Sequence, residues 1–326
     1  MGDMFDAVVI GAGVIGLTSA LRLQEAGARV AVVTAEPSAE TTSSVAAAVW
    51  YPTRTAFEDR VLGWATRTYD EFAREAADGV PGVVMRPTRM LLRGAASGPP
   101  WWAAAVPDFR ALGREDVRAP FAAGWAFTVP SVEMSRYLPW LQGRFTGAGG
   151  TLIRRRMDAL EQAGVWASTV VNASGLGART LCGDTDVRPV RGQLVLVANR
   201  GLDTSVRDED NTDGYTYVHP RSTDIVLGGS FEVGEWDTAA SPAVAAAILR
   251  RCTELLPELA GAPVIGHQVG LRPHRNGGVR LETDLRPPGR VKRMVHNYGH
   301  GGAGVTLAWG CADAVAALIA GAAGPE

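Results

Sequence analysis

The segment FDAVVIGAGVIGLTSALRLQEAGARVAVVTAE (5–36) limits the possible folds of this chain more than any other. Ala7 to Ile10 form a short apolar run suited to a buried parallel strand, and Gly11, Gly13 and Gly16 follow it as G-x-G-x-x-G. Leu17, Ala20, Leu21 and Leu23 then supply one face of a helix that Gly27 ends. A second strand, ARVAVVTAE, closes on Glu36, twenty residues after Gly16. The parts belong together physically. Gly11 permits the tight turn, Gly13 lets backbone approach a pyrophosphate, Gly16 lets the helix pack on the strand, and the helix N-terminus faces the anion. Glu36 is placed to hold ribose hydroxyls, and its charge disfavours a 2′-phosphate. These features predict an adenine dinucleotide of the FAD or NAD type rather than NADP.

The rest of the chain sets limits on that reading. A length of 326 residues, 46% apolar and 20% charged, suits one large or two smaller globular domains. A net charge of −2 offers no basic excess for a nucleic-acid backbone, and Arg154-Arg155-Arg156 reads as a solvated face. Cys182, Cys252 and Cys311 lack metal-ligand spacing, so no metal site and no disulfide framework is expected. The N-terminal apolar stretch has Asp3 and Asp6 before it and is broken by glycines, which predicts neither a signal peptide nor a membrane span. Cytoplasmic residence follows as the simplest expectation.

FEDRVLGWATRTYDEFAREA predicts a surface helix with Leu62, Ala65, Tyr69, Phe72 and Ala76 on its buried face, and SVEMSRYLPWLQGRF predicts another. WASTVVNASG (166–175) reads as a buried strand entering a glycine turn. From Arg188 to Val269 the pattern is strand-rich (GQLVLVA, YTYVHP, DIVLGGSF), interrupted by one alanine-rich helix at 242–256. The expected fold is therefore α/β (α+β), a Rossmann-like dinucleotide domain interleaved with a mostly antiparallel substrate domain. The boundaries drawn are 1–75, 131–187 and 270–326 for the first, and 76–130 and 188–269 for the second. Two Rossmann units are not expected.

Five stretches in order along the chain resemble the D-amino-acid oxidase family. They are VVIGAGVIGL (8–17), TTSSVAAAVWYP (41–52), YVHPR (217–221) with GGSFEVGEW (228–236), GLRPHRNGGVRLE (270–282) and HNYGHGGAGVTLAWGCA (296–312). The last places four glycines in residues 299–304. In that family the loop passes beside the flavin ring, where backbone leaves the space that side chains would fill. The resemblance implies noncovalent FAD and oxidative deamination of a D-amino acid with O₂, giving a 2-oxo acid, ammonia and H₂O₂. It implies flavin contacts from Gly11, Gly13, Val14, Ile15, Gly16, Glu36, Thr42, Ser43, Ala47, Ala48, Gly301, Gly302, Gly304, Val305 and Thr306.

Matched by motif, Arg275 is expected to bind the substrate carboxylate with help from Tyr217, and the Gly302 carbonyl to receive the amine. Arginine suits that role because its planar fork pairs with a carboxylate through two bonds. The competing reading makes Arg275 an ordinary ion-pair partner, for instance of Glu282, and Arg272 of the same segment is the one read as structural. Phe231, Tyr51 and Tyr215 are the expected pocket wall. Phe231 stands where D-aspartate oxidases carry arginine, which favours neutral side chains, while Arg54 keeps an acidic substrate open. The alternatives carried are a D-aspartate oxidase, a glycine- or sarcosine-type amine oxidase, and a flavin-binding protein without turnover. A homodimer is the candidate assembly.

Overall fold

The structure, a computed structural model, describes residues 4–52 and 58–321. Arg54 lies outside the described residues. Two sheets organise the chain. The first has six strands, in spatial order Arg280–Thr283, Arg293–Tyr298, Thr169–Asn172, Ala7–Ile10, Val30–Thr34 and Thr151–Arg154. All its pairings are parallel except that of Arg280–Thr283 with Arg293–Tyr298. Its central strands alternate between two cores. Ala7, Val9, Val30 and Val32 pack beneath the helices Val14–Glu25, Met134–Gly147 and Gly304–Ala320. Val8, Ile10, Ala31 and Val33 pack against Met157, Leu160, Ala163 and Trp166 on the other face. Burial on both faces explains the unbroken apolar runs.

The helix Asp59–Ala77 forms where its periodicity predicts it, but it buries Val61, Trp64, Ala65, Thr68, Tyr69, Phe72 and Glu75. Leu62 and Ala76 are only half-buried, because the helix lies between Gly304–Ala320 and strands of the second sheet and so presents a rotated stripe.

The second sheet is mostly antiparallel and includes Val83–Leu92, Ala123–Val132, Val187–Ala198, Ser205–Asp208, Thr216–Pro220 and Asp224–Gly228. One of its pairings, Val83–Leu92 with Ser205–Asp208, is parallel. The strand Val264–Arg275 pairs along Val187–Ala198 from residue 264 to 275, so it crosses the expected division at 269/270 and belongs wholly to this sheet. The helix Pro242–Leu255 starts at Ser241, whose hydroxyl accepts from Val244 N–H, with Pro242 in the first turn. It covers the face formed by Val195, Val197, Val218, Ile225 and Leu227. Alternation sends Leu194, Tyr217 and Val226 to the opposite face.

One ionisable group is sealed among the helices of the first layer. Glu75 is 1% exposed and accepts from the Tyr137 hydroxyl at 2.7 Å, while Arg144 Nη1 stands 4.0 Å from its other oxygen. Burial raises the Glu75 carboxyl to about 7, and the Tyr137 bond opposes this only in part. The folded value lies above the unfolded value near 4.5, so the folded state holds this proton more tightly than the unfolded chain does. The stability it contributes is full below the unfolded value and is lost as pH rises through the folded one. Glu75→Gln keeps an acceptor for Tyr137 and removes the titration. It should raise the Tm by a few degrees at about pH 8 and change it little at about pH 5, as read by calorimetry. An equal shift at both pH values would sink this account.

Candidate active site

The strand-to-helix turn is closed by backbone. Gly11 has φ +108°, and a Cβ there would stand 2.5 Å from the Ala173 carbonyl oxygen. A Cβ on Gly16 would stand 1.9 Å from the Gly11 carbonyl oxygen. Gly13 precedes the helix Val14–Glu25 without a capping side chain, and Val14 N–H donates instead to the Ser43 hydroxyl at 3.0 Å. Thr42 gives its hydroxyl to the Leu271 carbonyl at 3.1 Å, tying the 41–48 segment to the second sheet.

A cavity of about 1270 Å³ opens at this helix N-terminus. Gly11, Gly13, Val14 and Ile15 form part of its wall, as do Glu36, Thr42, Ser43, Ala47 and Ala48. Gly16 does not, because it is spent on the helix–turn contact. Glu36 is exposed just beyond the end of the strand Val30–Thr34. Ala48 has φ +54°, an uncommon conformation for a residue with a Cβ, and its carbonyl accepts from Val132 N–H at 2.9 Å. Gly301, Gly302, Gly304, Val305 and Thr306 wall the same cavity where the helix Gly304–Ala320 begins. The Thr306 hydroxyl accepts from Tyr51 N–H at 3.0 Å and donates to the Tyr51 carbonyl at 3.1 Å, so it serves to hold that segment.

Across the cavity stands the second sheet. Tyr217 is 9% exposed, and burial pushes its hydroxyl above the usual tyrosine range, which keeps it a proton donor at neutral pH. Its ring lies over Gly228, where a Cβ would meet it at 2.0 Å. Tyr215 and Phe231 face each other with ring centroids 5.6 Å apart. Tyr51 is buried, and its hydroxyl donates to Glu209 at 2.8 Å. All four aromatic residues wall the cavity.

The two arginines of LRPHR part company. They stand three residues apart on one strand, so their side chains leave opposite faces. Arg275 donates through Nε to Asp184 at 2.9 Å, and Asp184 also accepts from the Tyr298 hydroxyl at 2.8 Å. Burial works against the Asp184 carboxylate, yet these two bonds outweigh it and hold it below the usual range. The partner of Arg275 is thus Asp184, and Glu282 pairs with Arg280. Arg272 lies across Gly192, where a Cβ would meet its Nη1 at 2.2 Å. Its guanidinium stands 5.7 Å from the Phe231 ring centre, gives one bond to the Ser230 carbonyl at 3.3 Å, and acts electrostatically on Tyr217. Among the described residues Arg272 forms no ion pair with a carboxylate.

Arg207 and His219 also wall this end; His219 belongs to YVHPR, where only Tyr217 was given a role, and nothing in the sequence marks Arg207. His219 stacks on Tyr217 at 4.6 Å, and burial drives it down to about 3. His300, next to the glycine-rich loop, is likewise pushed down to about 3 by burial, so both rings are neutral and poor bases. Among the described residues no cluster of three or more His, Cys, Asp or Glu side chains is arranged to hold a metal ion.

A family model described as FAD dependent oxidoreductase matches residues 6–318. The chain is 52% identical over 317 residues to a D-amino-acid oxidase of Rubrobacter xylanophilus, covering 97% of this chain and 96% of the relative. The chain belongs to the D-amino-acid oxidase family. A D-amino-acid oxidase of Streptomyces coelicolor is 46% identical over 96% of each chain. The fold is that of a glycine oxidase from Geobacillus kaustophilus, with a TM-score of 0.83 and 20% identity over 99% of this chain and 96% of that one.

FAD is the cofactor of this family, and the cavity wall fits it. The bare backbone turn and helix N-terminus suit a pyrophosphate, and Glu36 suits a ribose. Asn297 Oδ1 and His300 Nε2 are buried on the wall without hydrogen-bond partners among the described residues. A Cβ at Gly13 would already stand 3.1 Å from the Ser43 hydroxyl, so Gly13→Val places a branched side chain on both the Ser43–Val14 bond and the phosphate approach. Its affinity for FAD, titrated into folded apoprotein, should fall about tenfold or more, equivalent to about 1.4 kcal/mol. Unchanged affinity would exclude the turn as the phosphate site.

Proposed function

We propose that this chain oxidises neutral D-amino acids to 2-oxo acids, consuming O₂ and water and releasing ammonia and H₂O₂. The observation that carries the reading is Arg272, a guanidinium with no carboxylate partner among the described residues, which acts on Tyr217 in the wall of the dinucleotide cavity. FAD, when bound, supplies a hydride acceptor at N5 and passes the electron pair to O₂.

The chain's own part is to bind and orient. Arg272 pairs with the substrate carboxylate, and Tyr217 donates its hydroxyl to the same group. The Gly302 carbonyl, on the exposed turn before the last helix, accepts from the substrate amine. With the carboxylate and the amine both held and one direction left for the side chain, only one enantiomer has its α-hydrogen aimed at the ring. No protein base is assigned, because His300 and His219 are neutral and weakly basic at physiological pH. Tyr215, Phe231 and Tyr51 bound the side-chain space with aromatic surface, which supports neutral substrates. Cytoplasmic residence belongs to the same proposal, supported by three cysteines that form no disulfide.

Arg272 replaces Arg275 as the proposed carboxylate anchor, since Arg275 is engaged with Asp184. Arg272→Ala should lower kcat/KM for D-alanine by a factor on the order of 10² or more, about 2.7 kcal/mol, in a protein that keeps its flavin. Arg272→Lys should recover only part of this. Arg275→Ala should act chiefly on thermal stability. Loss of turnover in folded, flavin-loaded Arg275→Ala with near-parent Arg272→Ala would reverse the assignment.

A further inference from the structure

At the substrate end of the cavity a second guanidinium is buried beside the first. Arg207 is 6% exposed on the strand Ser205–Asp208, directly opposite Tyr217 in the antiparallel register, so both side chains leave the same face. Its guanidinium carbon stands 3.5 Å from the centre of the Tyr51 ring. An arginine stays charged in a protein, so a buried one needs compensation. Glu209 supplies it, accepting from Arg207 Nε at 2.9 Å with one oxygen and from the Tyr51 hydroxyl at 2.8 Å with the other. The neighbouring carboxylate, Asp208, is taken by Arg93 at 2.6 Å. Among the described residues, Arg207 donates no other hydrogen bond to a side chain.

Glu209 reaches this pair from the far side. It lines an adjoining cavity of about 820 Å³, which shares Tyr51, Arg207, Tyr215 and Phe231 with the main one. Among the described residues, the charged groups acting on Tyr51 and Tyr217 are therefore two cations, Arg207 and Arg272, and one anion, Glu209. That leaves one net positive charge for one substrate carboxylate.

We propose that Glu209, by neutralising Arg207, sets the side-chain charge this site accepts: uncharged as the chain stands, and a carboxylate once Glu209 loses its charge. The substrate identity rests on the function proposed above, whereas the charge relation between Glu209 and Arg207 does not. Electrostatic selection of this kind works by leaving the wrong charge unpaired as much as by pairing the right one.

The test uses the FAD-loaded full chain. In Glu209→Gln the amide oxygen still accepts a bond from Arg207 or Tyr51, while the charge is gone. The ratio of kcat/KM for D-aspartate to that for D-alanine should rise about tenfold or more, mainly through KM. The binding ratio of succinate to butyrate, by calorimetry, should rise in step, and this readout needs no turnover. Arg207→Gln, which leaves Glu209 charged, should move both ratios the other way. Unmoved binding ratios in these variants would overturn the proposal, as would a gain that persists in Arg207→Gln/Glu209→Gln. A parent chain that turns over no D-amino acid would instead overturn the proposed function, and the binding ratios would still decide the charge relation.

Discussion

The contact on which the rest depends is between two stretches of backbone, the Gly11 carbonyl and the first turn of the helix Val14–Glu25. With 1.9 Å between the Gly11 oxygen and a hypothetical Cβ on Gly16, any side chain at 16 would push the helix off the sheet. Because the helix lies so close, its N-terminus opens directly above the ends of the strands Ala7–Ile10, Val30–Thr34 and Thr169–Asn172. These run parallel and end at the same edge. In open parallel sheets the crevice outside the carboxyl ends is where ligands bind, and here it becomes the start of the large cavity. The turn at 173–177 enters from the neighbouring strand and walls the same crevice, with Ala173 N–H bonded to the Ile10 carbonyl at 3.0 Å.

The opposite wall is built by a different rule, the two-residue alternation of antiparallel strands. Val218 enters the core under the helix Pro242–Leu255, which obliges Tyr217 and His219 to face the cavity. Glycine makes this dense face possible. Gly228 yields its side-chain volume to the Tyr217 ring and Gly192 yields its own to the Arg272 guanidinium. Strands position both guanidinium groups and the Tyr217 ring at this end, while Tyr51, Tyr215 and Phe231 stand on the segments that adjoin them. Strands hold side-chain directions more rigidly, which suits a site whose proposed contribution is positioning.

The candidate site was legible in part. GLRPHR pointed to a carboxylate-binding arginine, and the structure divides its two arginines by the odd spacing that puts them on opposite strand faces. That spacing was present in the sequence, but its use required knowing that Val264–Arg275 is a strand and which face meets Tyr217. Arg207 and Glu209 sit in SVRDED with nothing to distinguish them from a solvated charge run. Only the pairing of Ser205–Asp208 with Thr216–Pro220 brings Arg207 beside Tyr217. The strands Val83–Leu92 and Ala123–Val132 were not predicted, since mixed polar and apolar residues along them follow no single period.

The sequence by itself determined the dinucleotide unit, because that motif is local: strand, glycine turn, helix and acid follow within about thirty residues, and each is dictated by backbone sterics or by a helix terminus. It also carried the last helix and its glycine-rich approach, whose composition leaves few alternatives. Charge pairing was decided by the tertiary structure alone. Arg275 meets Asp184 across ninety-one positions, Arg93 meets Asp208 across a hundred and fifteen, and Tyr51 meets Glu209 across a hundred and fifty-eight. A guanidinium has the same chemistry whether it is bonded to a carboxylate or left for a ligand. Which of the two it becomes depends on the acceptor that sheet register brings within about three ångströms, and register is a property of the whole fold.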